Sequence, residues 1–353
     1  IRPTSETIIY HFFSRWIKSW RDLPFLVNQW CNVLRAEIKV TKPFIRTSEF
    51  LWQEGHTAHS TKEEADKMVY DILNDYKDLV ENYLAIPVIV GYKSESEKFA
   101  GALYTTTLEA IMPDGKALQM ATSHQLGQNF SKPFEIKFKD KDGNEKYVWQ
   151  TCWGISTRVI GAIVMVHGDD KGLVLPPKIA PLKCVIIPIY YNEDEREKVV
   201  EECKKLLKEL EDNNLSSHLD DREEYTPGWK FNEWELKGVP LRIEMGPKDL
   251  ERGEVTLVRR DNGERISVRR SDAIKTITKI LDEIQKSLFE KAKKLLENLT
   301  TTVENYEEFK KAITTKGGFI KACWCGSEEC EKKIKEETNA TIRVVVCGVV
   351  FYG

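Results

Sequence analysis

The chain has 353 residues, 41% of which are hydrophobic, and its formal net charge at pH 7 is −3. A chain of this length exceeds one small core and predicts two or three domains. No apolar run approaches the thickness of a bilayer and no secretory signal opens the sequence, which disfavours membrane-spanning and secreted proteins.

The first half of the chain predicts a few helices among a larger number of strands. Apolar residues at helical spacing predict a helix over residues 4–19, and Thr61 with Glu64 forms the capping pattern of a helix that runs to about Tyr83. We expect the buried face of this second helix to carry Ala65, Met68, Ile72, Tyr76 and Leu79. Strands are predicted at residues 25–37, 44–54, 105–111, 117–122 and 147–152. Gly154 is expected to break the last strand, so that Arg158 starts a helix.

A different pattern follows the prolines at 176, 177 and 181, which indicate a linker. Strands are predicted at 185–189, 241–244 and 255–259, and amphipathic helices at 193–210 and 273–299. Strands that alternate with helices predict an open α/β domain with a mixed or mostly parallel sheet. A smaller segment with a cluster of cysteines begins at about Thr300.

Two arginines flank the loop between the first two predicted strands. Arg35 leaves the first strand and Arg46 enters the second. Arginine stays charged at any relevant pH and forks onto phosphate or carboxylate with two hydrogen bonds. The pair therefore suits a reaction that builds negative charge at phosphorus, although two cross-strand salt bridges on a sheet face would give the same pattern.

Six sequence segments occur in an order that resembles one family of enzymes. They are RPTSET (residues 2–7), WQEGH (52–56), QMATSH (119–124), WGISTR (153–158), PGWKFNEWELKG (227–238) and GPKD (246–249). Together they resemble the class II aminoacyl-tRNA synthetases, and within that class the prolyl-tRNA synthetases of the archaeal and eukaryotic type, over nearly the whole chain. The resemblance implies an α+β class II catalytic domain on an antiparallel sheet (1–182), an α/β anticodon-binding domain with a mixed or parallel sheet (183–287) and a small C-terminal α+β domain that resembles a zinc-binding domain (288–353).

The activity that the resemblance implies is ATP-dependent ligation of L-proline to tRNA(Pro) through prolyl-adenylate. The proline carboxylate is already a nucleophile, so such an enzyme must supply alignment and charge stabilisation at the α-phosphate. Arg35 and Arg158 are the implied catalytic residues. The residues implied for ATP are Arg35, Glu37, Arg46, Thr47, Gln119, Thr122, Ser156 and Arg158. Mg²⁺ is expected to enter with ATP beside Gln119, with Glu109 near it, and to need few protein ligands.

Recognition of proline requires a carboxylate for the ammonium group and a small apolar slot for the ring. The residues implied for this role are Thr4, Glu6, Arg35, Trp52, Glu54, Phe99, His124 and Trp153. Each type also has a plain structural interpretation: Glu6 suits the first turn of a helix, strand aromatics suit a core, and His124 suits a buried, hydrogen-bonded histidine. Glu54 and His56 would either contact the substrate or orient Arg35.

In the second half, Glu235, Arg242 and Lys248 match positions that read guanines of the proline anticodon. An arginine forks onto guanine O6 and N7, whereas ordinary surface charges are the alternative interpretation. Trp229, Phe231 and Trp234 are expected in the core.

Eight cysteines, half of them after residue 322, indicate reduced thiols or metal ligands rather than disulfides, and hence a cytoplasmic protein. Cys325, Cys330 and Cys347 resemble part of the family's zinc site. Three thiolates do not close a tetrahedral Zn²⁺ site, so Cys323 or further residues would have to complete it.

Two other functions compete with this interpretation. A synthetase for threonine would need zinc or buried hydroxyl partners in its pocket, which the aromatic set does not offer. A non-catalytic RNA-binding or regulatory module would be marked by loss of the phosphate arginines, but Arg35, Arg46 and Arg158 are all present. Because Ile1 stands directly beside a motif, we expect a preceding segment with the family's dimer motif, and the resemblance implies a homodimer.

Overall fold

The computed structural model describes residues 1–346 and 349–353, which form two compact units. The first unit comprises Ile1–Asn82, Pro87–Ala162 and Lys294–Gly353, and the second comprises Tyr83–Ile86 and Ile163–Lys293. Within these described ranges, no helix combines the length and the apolar character that a bilayer crossing requires.

The helices and strands are numbered along the chain. The helices are α1 (Glu6–Trp16), α2 (Lys62–Asp78), α3 (Arg158–His167), α4 (Glu193–Asp212), α5 (Pro227–Leu236), α6 (Pro247–Arg252), α7 (Ala273–Asn298), α8 (Tyr306–Thr315) and α9 (Glu328–Thr338). The strands are β1 (Phe25–Leu34), β2 (Glu49–His59), β3 (Ile89–Tyr92), β4 (Tyr104–Ile111), β5 (Ala117–Gly127), β6 (Lys137–Lys139), β7 (Glu145–Tyr147), β8 (Trp149–Ser156), β9 (Cys184–Pro188), β10 (Ser217–Leu219), β11 (Leu241–Met245), β12 (Glu254–Arg259), β13 (Arg265–Arg269), β14 (Thr300–Thr302), β15 (Phe319–Cys323), β16 (Ile342–Val346) and β17 (Val349–Tyr352).

A ten-stranded sheet forms the centre of the first unit, in the order β1-β2-β8-β5-β4-β3-β16-β17-β15-β14. All of its pairs are antiparallel except β14 with β15. The prediction of an antiparallel catalytic sheet is therefore confirmed. The C-terminal strands β14–β17 extend this same sheet through the pairing of β16 with β3, which the sequence did not indicate.

Two helices of this unit show how local sequence fixes position. Helix α1 buries Tyr10 and Phe13 in a cluster with residues of the sheet. Helix α2 begins at the predicted cap, because the Thr61 hydroxyl accepts the Glu64 N–H at 3.2 Å. The prediction for the buried face of α2 is partly wrong. Ala65 and Tyr76 are buried as expected, but Val69 and Leu73 are buried in place of Met68 and Ile72.

Two predicted strand boundaries near the arginines are also wrong. Strand β2 begins at Glu49 rather than at residue 44, because residues 35–48 form a loop with a turn closed by bonds between Lys42 and Arg46. Gly154 does not break a strand but lies inside β8, paired with Glu54 and Thr122 on either side. Its missing side chain makes room for a neighbour, since a Cβ at residue 154 would lie 3.1 Å from the ring of Trp52.

The second unit contains a five-stranded sheet in the order β10-β9-β11-β12-β13. The pairs of β9 with β10 and with β11 are parallel, whereas β12 is antiparallel to both of its neighbours. Helices α4 and α7 bury their apolar faces in one cluster with residues of β9, β11 and β12. The predicted α/β domain with a mixed sheet is confirmed.

A small cluster covers the far end of the ten-stranded sheet. Helices α8 and α9 contribute Phe309 and Ile334 to it, and the strands contribute Ile320, Val350 and Tyr352 among others. The segment from residue 300 therefore combines helices and strands, as the sequence predicted.

Candidate active site

A pocket of about 290 Å³ opens in the first unit, lined chiefly by residues of β2, β5 and β8 and by the loop between β1 and β2. Most residues that the resemblance implies for ATP and proline meet here. Those that line the pocket are Thr4, Glu6, Arg35, Arg46, Thr47, Trp52, Glu54, Phe99, Gln119, Thr122, His124, Trp153, Ser156 and Arg158. One concave site thus gathers residues that the sequence spreads from position 4 to position 158.

The pocket arginines are held by neutral groups. Nε of Arg35 donates to the Pro3 carbonyl at 3.2 Å, and its guanidinium lies 5.1 Å from the centre of the Phe50 ring. Nε of Arg158 donates to the Ile45 carbonyl at 2.9 Å and Nη1 to the Gln119 carbonyl at 3.4 Å. These contacts orient the guanidinium groups without cancelling their charge.

No carboxylate pairs with Arg35, Arg46 or Arg158 among the residues that the structure describes. Burial lowers the pKa of Arg158, and the nearby positive charges, including Arg35 and Arg46, lower it further. The charge of Glu109 acts on Arg158 in the opposite direction. The three arginines therefore concentrate positive charge in one part of the pocket, which suits an anionic ligand.

Glu54, which also lines the pocket, lies in a buried hydrogen-bond network. Gln29 donates to its Oε1, and Nε2 of His56 lies 3.3 Å from its Oε2. Nδ1 of His56 lies 3.0 Å from the Tyr10 hydroxyl. Burial alone would raise the pKa of Glu54, but the hydrogen bonds from His56, Ser5 and Gln29 outweigh burial and hold it below its usual value.

This network fixes which atoms donate. A carboxylate only accepts, so Nε2 of His56 carries the hydrogen of its bond to Glu54. With that hydrogen on Nε2 and none on Nδ1, Nδ1 can accept from the Tyr10 hydroxyl, which burial keeps protonated by raising its pKa. Glu54 is thus held as a carboxylate within a pocket that also contains Glu6.

His124 is buried and neutral. Its Nδ1 lies 2.8 Å from the Thr105 hydroxyl, and its ring packs against the ring of Phe99, with the centroids 4.9 Å apart and the planes tilted by 39°. Burial, with a smaller contribution from His56, lowers the pKa of His124 to about 3. The predicted alternative, a satisfied buried histidine, describes its bonding, yet the same residue lines the pocket.

Two tryptophans shape the pocket and carry unused donors. The Nε1 atoms of Trp52 and Trp153 are buried and have no hydrogen-bond partner among the described residues. Trp153 lies across Gly55, where an added Cβ would fall 1.9 Å from the indole ring. Thr4 and Glu6 face each other in a hydrogen bond, and Glu6 is both buried and in the first turn of α1.

Several implied residues lie elsewhere. Glu37 is exposed in a turn after β1 and does not line the pocket. Glu109 is buried beneath it, with Oε1 bound to Lys93 and Oε2 to Arg343. Cys347 falls outside the described residues. In the part of the chain that the structure does describe, no three His, Cys, Asp or Glu side chains, Cys325 and Cys330 included, come together as a metal site.

The implied anticodon residues belong to the second unit. Arg242 is buried, donates from Nη1 to Glu235 and from Nε to Glu244, both at 2.9 Å, and lies 4.2 Å from the ring of Phe231. Lys248 is exposed in α6. Glu235 and Arg242 line one small pocket, which does not include Lys248. Trp234 is buried as expected, whereas Trp229 is 44% exposed and stacks on Tyr225.

Sequence reasoning missed some pocket residues. Lys93, Glu97 and Thr105 line the site, but none belongs to a recognised segment. Lys93 follows β3 and pairs with a carboxylate 16 positions away. An ion pair that forms only because of the register between strands leaves no local pattern in the sequence by which it could be predicted.

Comparisons with known proteins agree with this geometry. The model of the tRNA synthetase class II core domain (G, H, P, S and T) matches residues 1–167, that of the anticodon-binding domain matches 183–280, and that of the prolyl-tRNA synthetase C-terminal region matches 306–348. A proline–tRNA ligase of Natranaerobius thermophilus is 55% identical over 98% of the chain and 71% of its own length. One from Cenarchaeum symbiosum is 55% identical over 99% of the chain and 73% of its own length.

A solved structure gives the same result. The crystal structure of prolyl-tRNA synthetase from Cryptosporidium parvum, complexed with L-proline and AMP, superposes with a TM-score of 0.96 and 43% identity. The match covers 100% of the chain and 77% of the other protein. The chain therefore belongs to the prolyl-tRNA synthetase family.

Proposed function

We propose that this protein ligates L-proline to tRNA(Pro) in two steps, with ATP consumed in the first to form prolyl-adenylate and pyrophosphate. The observation that carries the proposal is one pocket that contains three arginines, which have no carboxylate partner among the described residues, together with carboxylates and aromatic rings. The relatives described above are named proline–tRNA ligase or prolyl-tRNA synthetase, and the chain shares at least 43% identity with each of them.

The arginines would stabilise the phosphates. In the first step the proline carboxylate attacks the α-phosphorus, and charge accumulates on the phosphate oxygens as pyrophosphate leaves. Arg35 would hold the proline carboxylate against the α-phosphate, and Arg158 and Arg46 would bind the triphosphate tail. Thr47, Thr122 and Ser156 line the same pocket and would bind the nucleotide; Glu37 would have to reach it from its turn.

The opposite end would recognise the imino acid. Glu6 with Thr4 would bind the secondary ammonium, and Glu54 would add negative charge. Trp52, Phe99, His124 and Trp153 would surround the ring. A neutral His124 suits this role, because a protonated ring beside the ammonium would repel it.

Mg²⁺ would enter with ATP and spread the charge of the leaving pyrophosphate. We propose Gln119, which lines the pocket, as its protein neighbour. Glu109 fits this role poorly, since Lys93, Thr107 and Arg343 already occupy both of its oxygens. Zn²⁺ has no fitting donor set among the described residues.

The second unit would bind the anticodon of tRNA(Pro). Glu235, Arg242 and Lys248 are proposed to read its bases. Arg242 keeps Nη2 outside its ion pairs with Glu235 and Glu244, and that atom is the one we propose for a guanine edge.

We further propose a cytoplasmic homodimer. Helix α1 and the edge strand β1 expose large apolar side chains, between 36% and 80% accessible, namely Ile8, Phe12, Trp16, Leu26, Trp30 and Leu34. An edge strand with such a surface favours association, and a second copy of the chain is the proposed partner. Sedimentation equilibrium at micromolar concentration should give twice the chain mass; a monomer at all concentrations would contradict the proposal. The seven described cysteines are free, which suits the cytoplasm.

Aminoacylation tests the function itself. With ATP, Mg²⁺ and a tRNA(Pro) transcript, the protein should transfer labelled proline to acid-precipitable tRNA, and a tRNA for threonine serves as the control. Absence of charging on tRNA(Pro), or equal charging of both tRNAs, would contradict the proposal.

A further inference from the structure

Glu109 is the most completely buried carboxylate near the pocket, and a residue from the C-terminal segment holds it. Its side chain is 0% exposed. Oε1 accepts from Lys93 Nζ at 2.6 Å and from the Thr107 hydroxyl at 2.9 Å. Oε2 accepts from Arg343 Nε at 3.2 Å and Nη2 at 3.0 Å. Arg343 lies on β16, and its carbonyl also accepts from Lys93 at 2.9 Å.

This cluster reaches the catalytic pocket by two routes. Lys93 itself lines the pocket. Glu109 is paired across the sheet with Gln119, at a point where the register of β4 and β5 shifts. The Gln119 carbonyl in turn accepts from Nη1 of Arg158. The charges of Glu109 and Arg343 both act on Arg158, with opposite signs.

The arrangement sets up a competition for one buried carboxylate. Oε2 of Glu109 has two donors, both from Arg343. Without them this oxygen would be buried and unpaired, which costs more free energy than losing an exposed ion pair. Besides Lys93, which binds Oε1, Arg158 is a pocket cation on which the charge of Glu109 acts. Arg158 has no carboxylate partner among the described residues.

We propose that Arg343 is a positioning residue for the catalytic pocket: by binding Glu109 Oε2, it keeps Arg158 free for the polyphosphate of the nucleotide. The inference rests on the proposed function, since it assigns Arg158 to ATP. It gives the C-terminal segment, which extends the catalytic sheet through β16, a direct effect on the first reaction step.

The test is ATP–pyrophosphate exchange with Arg343→Met, which removes the charge and retains bulk. Arg158 should then turn toward Glu109, and KM for ATP should rise about fivefold. KM for proline should change less than twofold, a split that general loss of structure would not produce. Lys321→Met, an exposed lysine on β15 of the same segment, is the matched control and should match the wild type in both constants.

A second mutation separates positioning from structure. Glu109→Gln removes the charge that would compete for Arg158. The double variant Glu109→Gln/Arg343→Met should therefore have the same KM for ATP as Glu109→Gln alone. If Arg343→Met alone is insoluble, Arg343→Lys, which can fill only one of the two bonds, should raise KM for ATP about twofold.

The outcomes are distinguishable. An unchanged KM for ATP in a soluble Arg343→Met or Arg343→Lys protein, an equal rise with and without Glu109→Gln, or parallel changes in both KM values would overturn the inference. Absence of proline-dependent exchange in the wild type would instead overturn the proposed function.

Discussion

The pocket arginines of the first unit and two buried arginines of the second unit differ in what holds them. In the first unit, Arg35 and Arg158 donate to backbone carbonyls and lie in a pocket without a carboxylate partner among the described residues. In the second unit, Arg242 pairs with Glu235 and Glu244, and Arg260 pairs with Asp169 through two bonds at 2.6 and 2.7 Å.

This difference indicates two uses of the same side chain. Carbonyl dipoles orient a guanidinium but leave its full charge for a ligand, which suits stabilisation of phosphate. Ion pairs neutralise the charge and fix the fold, so a ligand of the second unit must either use a leftover N–H or displace a carboxylate. Variants of each unit should therefore affect different reactions.

The largest effect is expected for Arg35→Ala. Removing a charge contact made chiefly in the transition state costs about 3–4 kcal/mol, so kcat for exchange should fall roughly 10²- to 10³-fold. The fold should survive, because the Arg35 side chain donates to the Pro3 carbonyl and lies beside the Phe50 ring, without an ion pair among the described residues. Exchange kinetics measure kcat, and circular dichroism measures whether the fold is retained. The control is Arg21→Ala, which removes an exposed arginine that lies against Trp20. Near-wild-type exchange would remove Arg35 from the mechanism.

Gly55→Ala should damage the proline end of the same pocket. The new Cβ would meet the Trp153 ring at 1.9 Å, so the indole must move, and such overpacking costs about 1–3 kcal/mol. We expect KM for proline to rise roughly tenfold in exchange assays. Gly228→Ala, where an added Cβ has open space, should be neutral. Equal behaviour of the two variants would show that Trp153 does not shape the proline site.

Glu235→Ala should separate the two reactions. It removes the partner of Arg242 and one proposed base contact, so kcat/KM for charging tRNA(Pro) should fall about tenfold. Exchange, which needs no tRNA, should be unchanged. Lys171→Ala, which breaks only the outer ion pair of Glu235 at 3.6 Å, is the matched control. A parallel loss of both reactions would mean that the second unit is not a dedicated anticodon reader.

The smallest effect concerns pH: we expect His124 not to make KM for proline depend on pH near neutrality. Burial lowers the pKa of His124 to about 3, so at pH 6 only about one molecule in a thousand carries the extra proton. KM for proline should therefore show no inflection from His124 between pH 6 and pH 8. An inflection near pH 6.5 that His124→Gln abolishes would mean that His124 titrates in the normal range.

The sequence predicted the pocket better than its surroundings. Site residues such as Arg35, His124 and Arg158 could be recognised from the sequence, because each belongs to a local sequence pattern. The structure brings them together in one cavity. The cap at Thr61 was also readable, since capping is local. By contrast, the bonds between Arg343 and Glu109 join residues 234 positions apart, and only sheet register brings them together. Gly154 was misread for a similar reason, because its role depends on the Trp52 ring of the adjacent strand.

The most direct test of the account is ATP–pyrophosphate exchange measured separately with each of the twenty standard amino acids. The arginine-rich pocket beside an aromatic cavity predicts strong exchange with proline. Alanine and cysteine should give weak exchange, because the lost ring contacts are worth only about 1–3 kcal/mol. No exchange with proline, or faster exchange with another amino acid such as threonine, would contradict the conclusion that this pocket activates proline.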